Sequence, residues 1–234
     1  MDQSKTQKFA NIINDESRVA MINLLMSNQF YTVTELAKVA KIKTHTASYH
    51  LKKMMELDLV IMEKHGRFHY YQLSNQEFAE FFEGIGAVAP TPKVRYLSQQ
   101  IESQKLTQAR TCYDHLAGNL GVVITEFLLE KEYVVRIEKG LLVTEAGEDF
   151  LEKNNINVSE LKNKKRNFCG LCLDWSERKH HISGSVGNAI YELFLRNQWI
   201  IKSEKSRAVI LTDKGKEEIK KDWGISFDSI KNYC

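Results

Sequence analysis

Two short stretches carry residues able to do chemistry. "CYDHLAGNLG", residues 112–121, contains Cys112-x-x-His115 followed by Gly118 and Gly121. "RKHHISGSVG", residues 178–187, repeats the pattern 66 residues later with His181, Gly184 and Gly187. Ahead of the second stretch lie Cys169-x-x-Cys172, Asp174 and Trp175. Three chemistries fit these residues. In the first, Cys112 and His115, three apart, share one face of a helix, and Cys169 and Cys172 have knuckle spacing. Two repeats packed face to face would then gather thiolates and imidazoles around zinc or another thiophilic metal. In the second, Cys169 and Cys172 cycle between dithiol and disulfide. Lys164, Lys165 and Arg166 upstream, and Arg110 beside Cys112, favour thiolates there. In the third, Arg110, Tyr113, His115, Asp174, Trp175, Glu177, Arg178 and His181 line a pocket for a small organic molecule. A purely structural reading stands beside all three. The glycines allow close helix packing, Asp174 to Arg178 form a salt-bridge and capping network, Tyr113 and Trp175 are core, and the cysteines are small hydrophobes.

Catalysis is not expected. Cys112 with His115 or His181 could make a nucleophile–base pair, but the chain has no phosphate loop, no HExxH and no serine elbow. The N-terminus "MDQSKTQKFANIIN" lacks the apolar core of a signal peptide. No apolar run reaches the roughly 18 residues of a membrane helix. A cytoplasmic protein with no membrane partner is therefore expected, its four cysteines mostly reduced.

The repeat extends well past its histidine. Residues 115–156 align with 181–225: Phe127 matches Leu193, Leu128 matches Phe194, Tyr133 matches Trp199, Thr144 matches Thr212 and Gly147 matches Gly215. Each copy reads as helix, strand, turn, strand, helix. The first helix carries Lys131 against Glu126, Glu130 and Glu132, a balance that phosphates repel.

A different pattern fills residues 1–89. Asp15 can cap "ESRVAMINLLM", with Val19, Ile22, Leu25 and Met26 on one apolar face. Thr32-Val33-Thr34-Glu35 and Ser74-Asn75-Gln76-Glu77 have the capping-box spacing. Leu36, Ala37 and Ala40 face inward. After the break "KIKT", a helix starts near Thr44 with Ala47, Leu51 and Met54 on its inner side. "LDLVIMEKHGRFHYYQLS" then reads as two strands about a His65-Gly66-Arg67 turn. Helix, turn, helix, hairpin is a winged helix-turn-helix, whose second helix enters the major groove. Residues 1–89 hold ten Lys/Arg and ten Asp/Glu, yet Leu36 to Met55 hold five lysines (38, 41, 43, 52, 53) and no acid. Positive charge is concentrated where phosphate contact needs it. The expected DNA contacts are Lys43, Thr44, His45, Thr46, Ser48, Tyr49, His50, Lys52 and Lys53, with Arg67 at the wing tip.

"VTELAKVAKIKTHTASYHLKKMMELDLVIMEKHGRFHYYQLS" resembles the ArsR family of winged-helix repressors through Leu36-Ala37, Ser48-Tyr49-His50-Leu51, Leu59-Val60, Gly66-Arg67 and Tyr71-Gln72-Leu73. That resemblance implies a homodimer that binds operator DNA and is released by an inducer. The chain departs from the family's metal sensors: Glu35-Leu36-Ala37-Lys38-Val39-Ala40 has no Cys-x-Cys, and "NQEFAEFFEGIGAV" has no histidine. "ARTCYDHLAG" and "CLDWSERKHHISG" are similar to blocks of a long-tailed subgroup, which implies a dedicated effector or assembly domain.

The expected fold is mainly α with small β-hairpins (α+β). Residues 1–89 form a winged helix-turn-helix, and 90–114 a linker and connecting helix. Residues 115–234 form a sensing or assembly domain of two helix-hairpin-helix repeats. Ala89-Pro90-Thr91-Pro92 holds both prolines, and Leu97, Ile101 and Leu106 could form a seam against a partner subunit. The expected function is effector-modulated regulation of transcription through double-stranded DNA. The rival reading is an interaction module that kept the fold without binding DNA.

Overall fold

The structure, a computed structural model, describes residues 3–88, 97–138, 140–203 and 206–227. The linker at 89–92 and the Leu97 side chain lie outside the described residues. Two compact units part within one helix, between Phe81 and Phe82.

The first unit holds α1 (Gln3–Ile13), α2 (Glu16–Leu25), β1 (Tyr31–Thr32), α3 (Val33–Ala40), α4 (Thr44–Met55), β2 (Val60–His65), β3 (Phe68–Leu73) and the start of α5 (Gln76–Val88). Capping sets its boundaries. Asp15 accepts from the Arg18 amide and starts α2. Thr32 and Glu35 close a reciprocal capping box on α3. Lys41, in the left-handed region at φ 55°, ends α3 and turns the chain toward α4. The expected second box is replaced: Asn75, not Ser74, accepts from the Phe78 amide, while the Ser74 hydroxyl donates to the Asp58 carbonyl. The wing strands pair Val60 with Leu73 through His65 with Phe68. β1, too short to show periodicity, adds a third strand in the order β1-β3-β2.

The second unit continues with α6 (Leu97–Gln108), β4 (Arg110–Cys112), β5 (His115–Ala117), α7 (Gly118–Glu130), β6 (Val134–Ile137), β7 (Gly140–Val143), α8 (Glu145–Lys153) and α9 (Val158–Lys162). β8 (Gly170–Leu173), β9 (His180–Ser183), α10 (Gly184–Arg196), β10 (Ile200–Lys202), β11 (Val209–Leu211) and α11 (Asp213–Trp223) follow. The runs α7-β6-β7-α8 and α10-β10-β11-α11, which cover the two stretches aligned in sequence, are each preceded by a hairpin, at 110–117 and 170–183. Arg110 to Asp114 therefore belong to the folded unit and not to a connecting helix. The helices cross over: α7 packs on β9 of the other repeat and α10 on β5. Their second glycines make this possible. A Cβ on Gly121 would strike the Leu116 carbonyl and meet His181 Cβ at 3.4 Å. A Cβ on Gly187 would strike the Ile182 carbonyl and meet His115 Cβ at 3.3 Å.

One apolar core spans both repeats, with Leu120, Ile124, Phe127, Ile190, Phe194, Trp199 and Trp223 buried together. Phe127 stacks on Trp223, and Phe194 meets the edge of both Trp199 and Trp223. Thr144 and Thr212 cap α8 and α11 alike, each accepting from the glycine amide three residues on.

Candidate functional sites

In the first unit, α4 buries Ala47, Leu51 and Met54 and presents Thr44, His45, Ser48, Tyr49, Lys52 and Lys53 outward, with Thr46 half-buried. Tyr49 is 57 % exposed, although large apolar rings favour burial. Lys43 is exposed just before the helix, and Arg67 is exposed at the wing turn over the Phe68 ring. His50 is different, and its expected base contact is corrected. It is buried against α2, with Nδ1 3.2 Å from an Arg18 guanidinium nitrogen and Nε2 3.9 Å from Asp15 Oδ1. Its place four residues after Thr46 and three after Ala47 turns it inward. Burial holds its pKa below the ordinary histidine value; Asp15 opposes that and Arg18 adds to it.

In the second unit, the two hairpins deliver four side chains to one point: Cys112, His115, Cys172 and His181, all buried, with ligand atoms within 4.8 Å of one another. Their placement follows strand register. Cys112 faces His115 across β4 and β5 around the Tyr113-Asp114 turn, with Tyr113 at φ 60°. Cys172 faces His181 across β8 and β9. The helix expected at Cys112–His115 is therefore corrected to a hairpin, whose cross-strand pairing brings the same residues to one face. Cys112 Sγ lies 3.8 Å from Cys172 Sγ, and His115 Nε2 lies 3.2 Å from His181 Nε2.

Behind each histidine stands a carboxylate. His115 Nδ1 lies 3.3 Å from Asp114 Oδ1. His181 Nδ1 lies 3.2 Å from Asp174 Oδ2, at ion-pair distance but off the line of a well-aligned hydrogen bond. Each carboxylate is held in turn by an arginine. Arg166 donates to Asp114. Arg110, fully buried, donates to Asp174 at 3.0 Å and to Glu83. Asp174 also accepts from the Gly118 amide at 2.7 Å, capping α7 of the other repeat, and from Ser176 and Glu177 amides. Burial pushes the Asp174 carboxyl up, but His181 and Arg110 outweigh it and hold it well below the carboxylate range. Asp114 shows the same balance, with His115 and Arg166 outweighing burial. The Cys112 thiol is pushed well above its ordinary value by the contact with Cys172 and then by burial.

Other sequence candidates stand apart from the four. Cys169 lies in a bend just before β8, outside the strand register that sets Cys172 opposite His181. Cys169 instead joins the apolar core, and burial pushes its thiol up to about 12. The metal knuckle is corrected on that ground, since Cys169 is not among the four residues whose ligand atoms converge. Trp175, half-buried, stacks over the Arg110 guanidinium at 4.5 Å. Tyr113 is half-buried in its turn, and Arg178 is exposed at φ 53° in the loop before β9. Asp114 and Glu83, which sequence reasoning missed, complete the charge network. Only the adjacency of Asp114 to His115 could have signalled the first.

A helix-turn-helix followed by a two-stranded wing is the fold of a winged-helix DNA-binding domain. Residues 15–61 match the family described as bacterial regulatory protein, arsR family. The chain is 41% identical over 209 residues to the HTH-type transcriptional regulator YdfF of Bacillus subtilis, covering 89% of this chain and 92% of that protein. It is 26% identical over 82 residues to the cadmium resistance transcriptional regulatory protein CadC of Listeria innocua, covering 35% of this chain and 69% of that one. The homodimeric winged helix-turn-helix domain of Mb0332 from Mycobacterium bovis aligns with a TM-score of 0.34 at 19% identity, over 36% of this chain and 78% of that one. The chain belongs to the ArsR family. No helix among the described residues is long and apolar enough to cross a membrane.

Proposed function

We propose that this regulator is a repressor that binds its operator as a homodimer and whose affinity is set by an effector read in the second unit. The observation that carries the reading is α4. Its inner face is core, while its outer face offers short donors, an exposed tyrosine and lysines with no acid among them until Glu56. That composition suits base edges and phosphates together. The dimer is what the family resemblance implies, and Phe81, 50 % exposed beside Phe9, offers apolar area for a second copy to cover. An effector acts by binding one spacing of the paired recognition helices better than the other, which shifts the population between them.

Titration of the protein into DNA from upstream of its own gene tests this. Tyr49→Ala should cost about 1–3 kcal/mol of specific binding, and Lys52→Ala should weaken all sequences and lower the salt slope by about one. Binding unchanged by both substitutions would place the recognition surface elsewhere. No binding to any duplex would favour the interaction module.

A further inference from the structure

We propose that Cys112, His115, Cys172 and His181 bind one zinc ion in a closed tetrahedral site that joins the two repeats of the second unit. The inference goes beyond the regulatory reading and stands without it, since metal binding is measured on the free chain with no DNA present.

The spacing of the ligand atoms carries it. At a tetrahedral zinc, with Zn–S about 2.3 Å and Zn–N about 2.0–2.1 Å, paired sulfurs lie about 3.8 Å apart and paired nitrogens about 3.3 Å apart. Cys112 and Cys172 present sulfurs 3.8 Å apart, and His115 and His181 present nitrogens 3.2 Å apart. The donor set selects the ion: two thiolates and two imidazoles suit zinc and exclude the hard, oxygen-seeking calcium and magnesium. Two thiolates also neutralise a divalent cation, the charge balance that a dry interior requires.

The surroundings have the form of a metal site's outer shell. Both histidines turn Nε2 toward the shared centre and Nδ1 toward a carboxylate, His115 at hydrogen-bond distance from Asp114 and His181 at ion-pair distance from Asp174, and a carboxylate behind a ligating imidazole orients the ring. Arg166 and Arg110 then fix those carboxylates. A packing role alone gives no reason for two independent Asp–His pairs to aim four soft donor atoms at one point.

Four protein ligands, each buried, leave no open position, so the ion is structural and not catalytic. One ligand pair comes from each hairpin, and each hairpin also supports the helix of the opposite repeat. The ion therefore ties the repeats at the point where they interlock. This position is distinct from α3 and α5, which lack the cysteines and histidines of a metal site.

The full-length chain, made without a polyhistidine tag, supplies the test. Native mass spectrometry should find one zinc per chain. After chelation, cobalt(II) should restore one equivalent, with thiolate-to-cobalt charge transfer and the intense visible bands of a tetrahedral ion. Cys172→Ser should weaken the affinity by more than the roughly 100-fold limit of outer-shell changes, whereas Cys169→Ser should leave it unchanged. A wild-type chain that takes up neither ion overturns the proposal. So does a cobalt spectrum without thiolate charge transfer, or uptake lost equally on replacing Cys169. The first two readouts use wild-type protein, so a variant that fails to fold does not shield the proposal.

Discussion

At the residue scale, the demanding group is Arg110. A guanidinium with no exposed surface is stable only because Glu83 and Asp174 both meet it and Trp175 covers its face. Arg110→Ala strands two buried carboxylates and should lower stability by about 3–5 kcal/mol, read by urea unfolding. A loss under 1 kcal/mol would mean that water reaches the pair. Asp174→Asn acts on His181 as well and should weaken metal binding about 10–100-fold, with the tetrahedral cobalt spectrum retained. In the first unit, His50 makes stability pH-dependent. Burial holds its folded pKa below the unfolded value, so the unfolded chain takes up the proton first as pH falls. Its contribution is whole above about 6.5 and is lost as pH drops through the folded pKa. Wild type should lose more stability than His50→Gln between neutral and mildly acidic pH. An NMR titration placing His50 above the ordinary value would reverse the sign.

At the element scale, the signals that worked were those in which chemistry and geometry lie within a few residues. The Thr32–Glu35 box involves two side chains three residues apart, so its spelling implies its structure. Ser74 competes with its neighbour, and the pull of the Asp58 carbonyl decides the matter from sixteen residues away. Thr32→Ala should cost about 1 kcal/mol of thermal or urea stability. Gly147 and Gly215 give a paired test. A Cβ at either would press into the carbonyl of Tyr133 or Trp199, well inside the 3.0 Å that real Cβ atoms respect, and backbone cannot swing aside. Each alanine substitution should cost about 1–3 kcal/mol, as overpacking does. If one is tolerated and the other is not, the two positions are not structural equivalents.

At the scale of the whole molecule, Trp175, Trp199 and Trp223 are the three tryptophans, and all belong to the second unit. Their fluorescence therefore reports that unit alone. Chelation of a bound ion should lower the tryptophan-detected unfolding midpoint, because binding energy at a site absent from the unfolded chain is folding energy. The DNA-reading unit should keep its own transition by circular dichroism. Equal shifts in both signals would mean that the two units unfold as one.

By itself the sequence determined what local chemistry can determine. A helix with Ala47, Leu51 and Met54 inward has its outward residues settled by periodicity, and "HGR" between two apolar runs makes a turn. The outward face of α4 was legible for that reason, except at His50, whose direction hangs on Arg18 and Asp15 outside α4. The pairing of Cys112 and His115 with Cys172 and His181 was decided only by tertiary structure. Their spacing along the chain fits helix, knuckle and hairpin alike. Strand register chose the hairpin, Cys169 stayed in the bend before it, and the crossing of α7 and α10 over opposite hairpins brought the two pairs face to face. Such convergence depends on how surfaces distant in sequence fit together, and no local pattern encodes that.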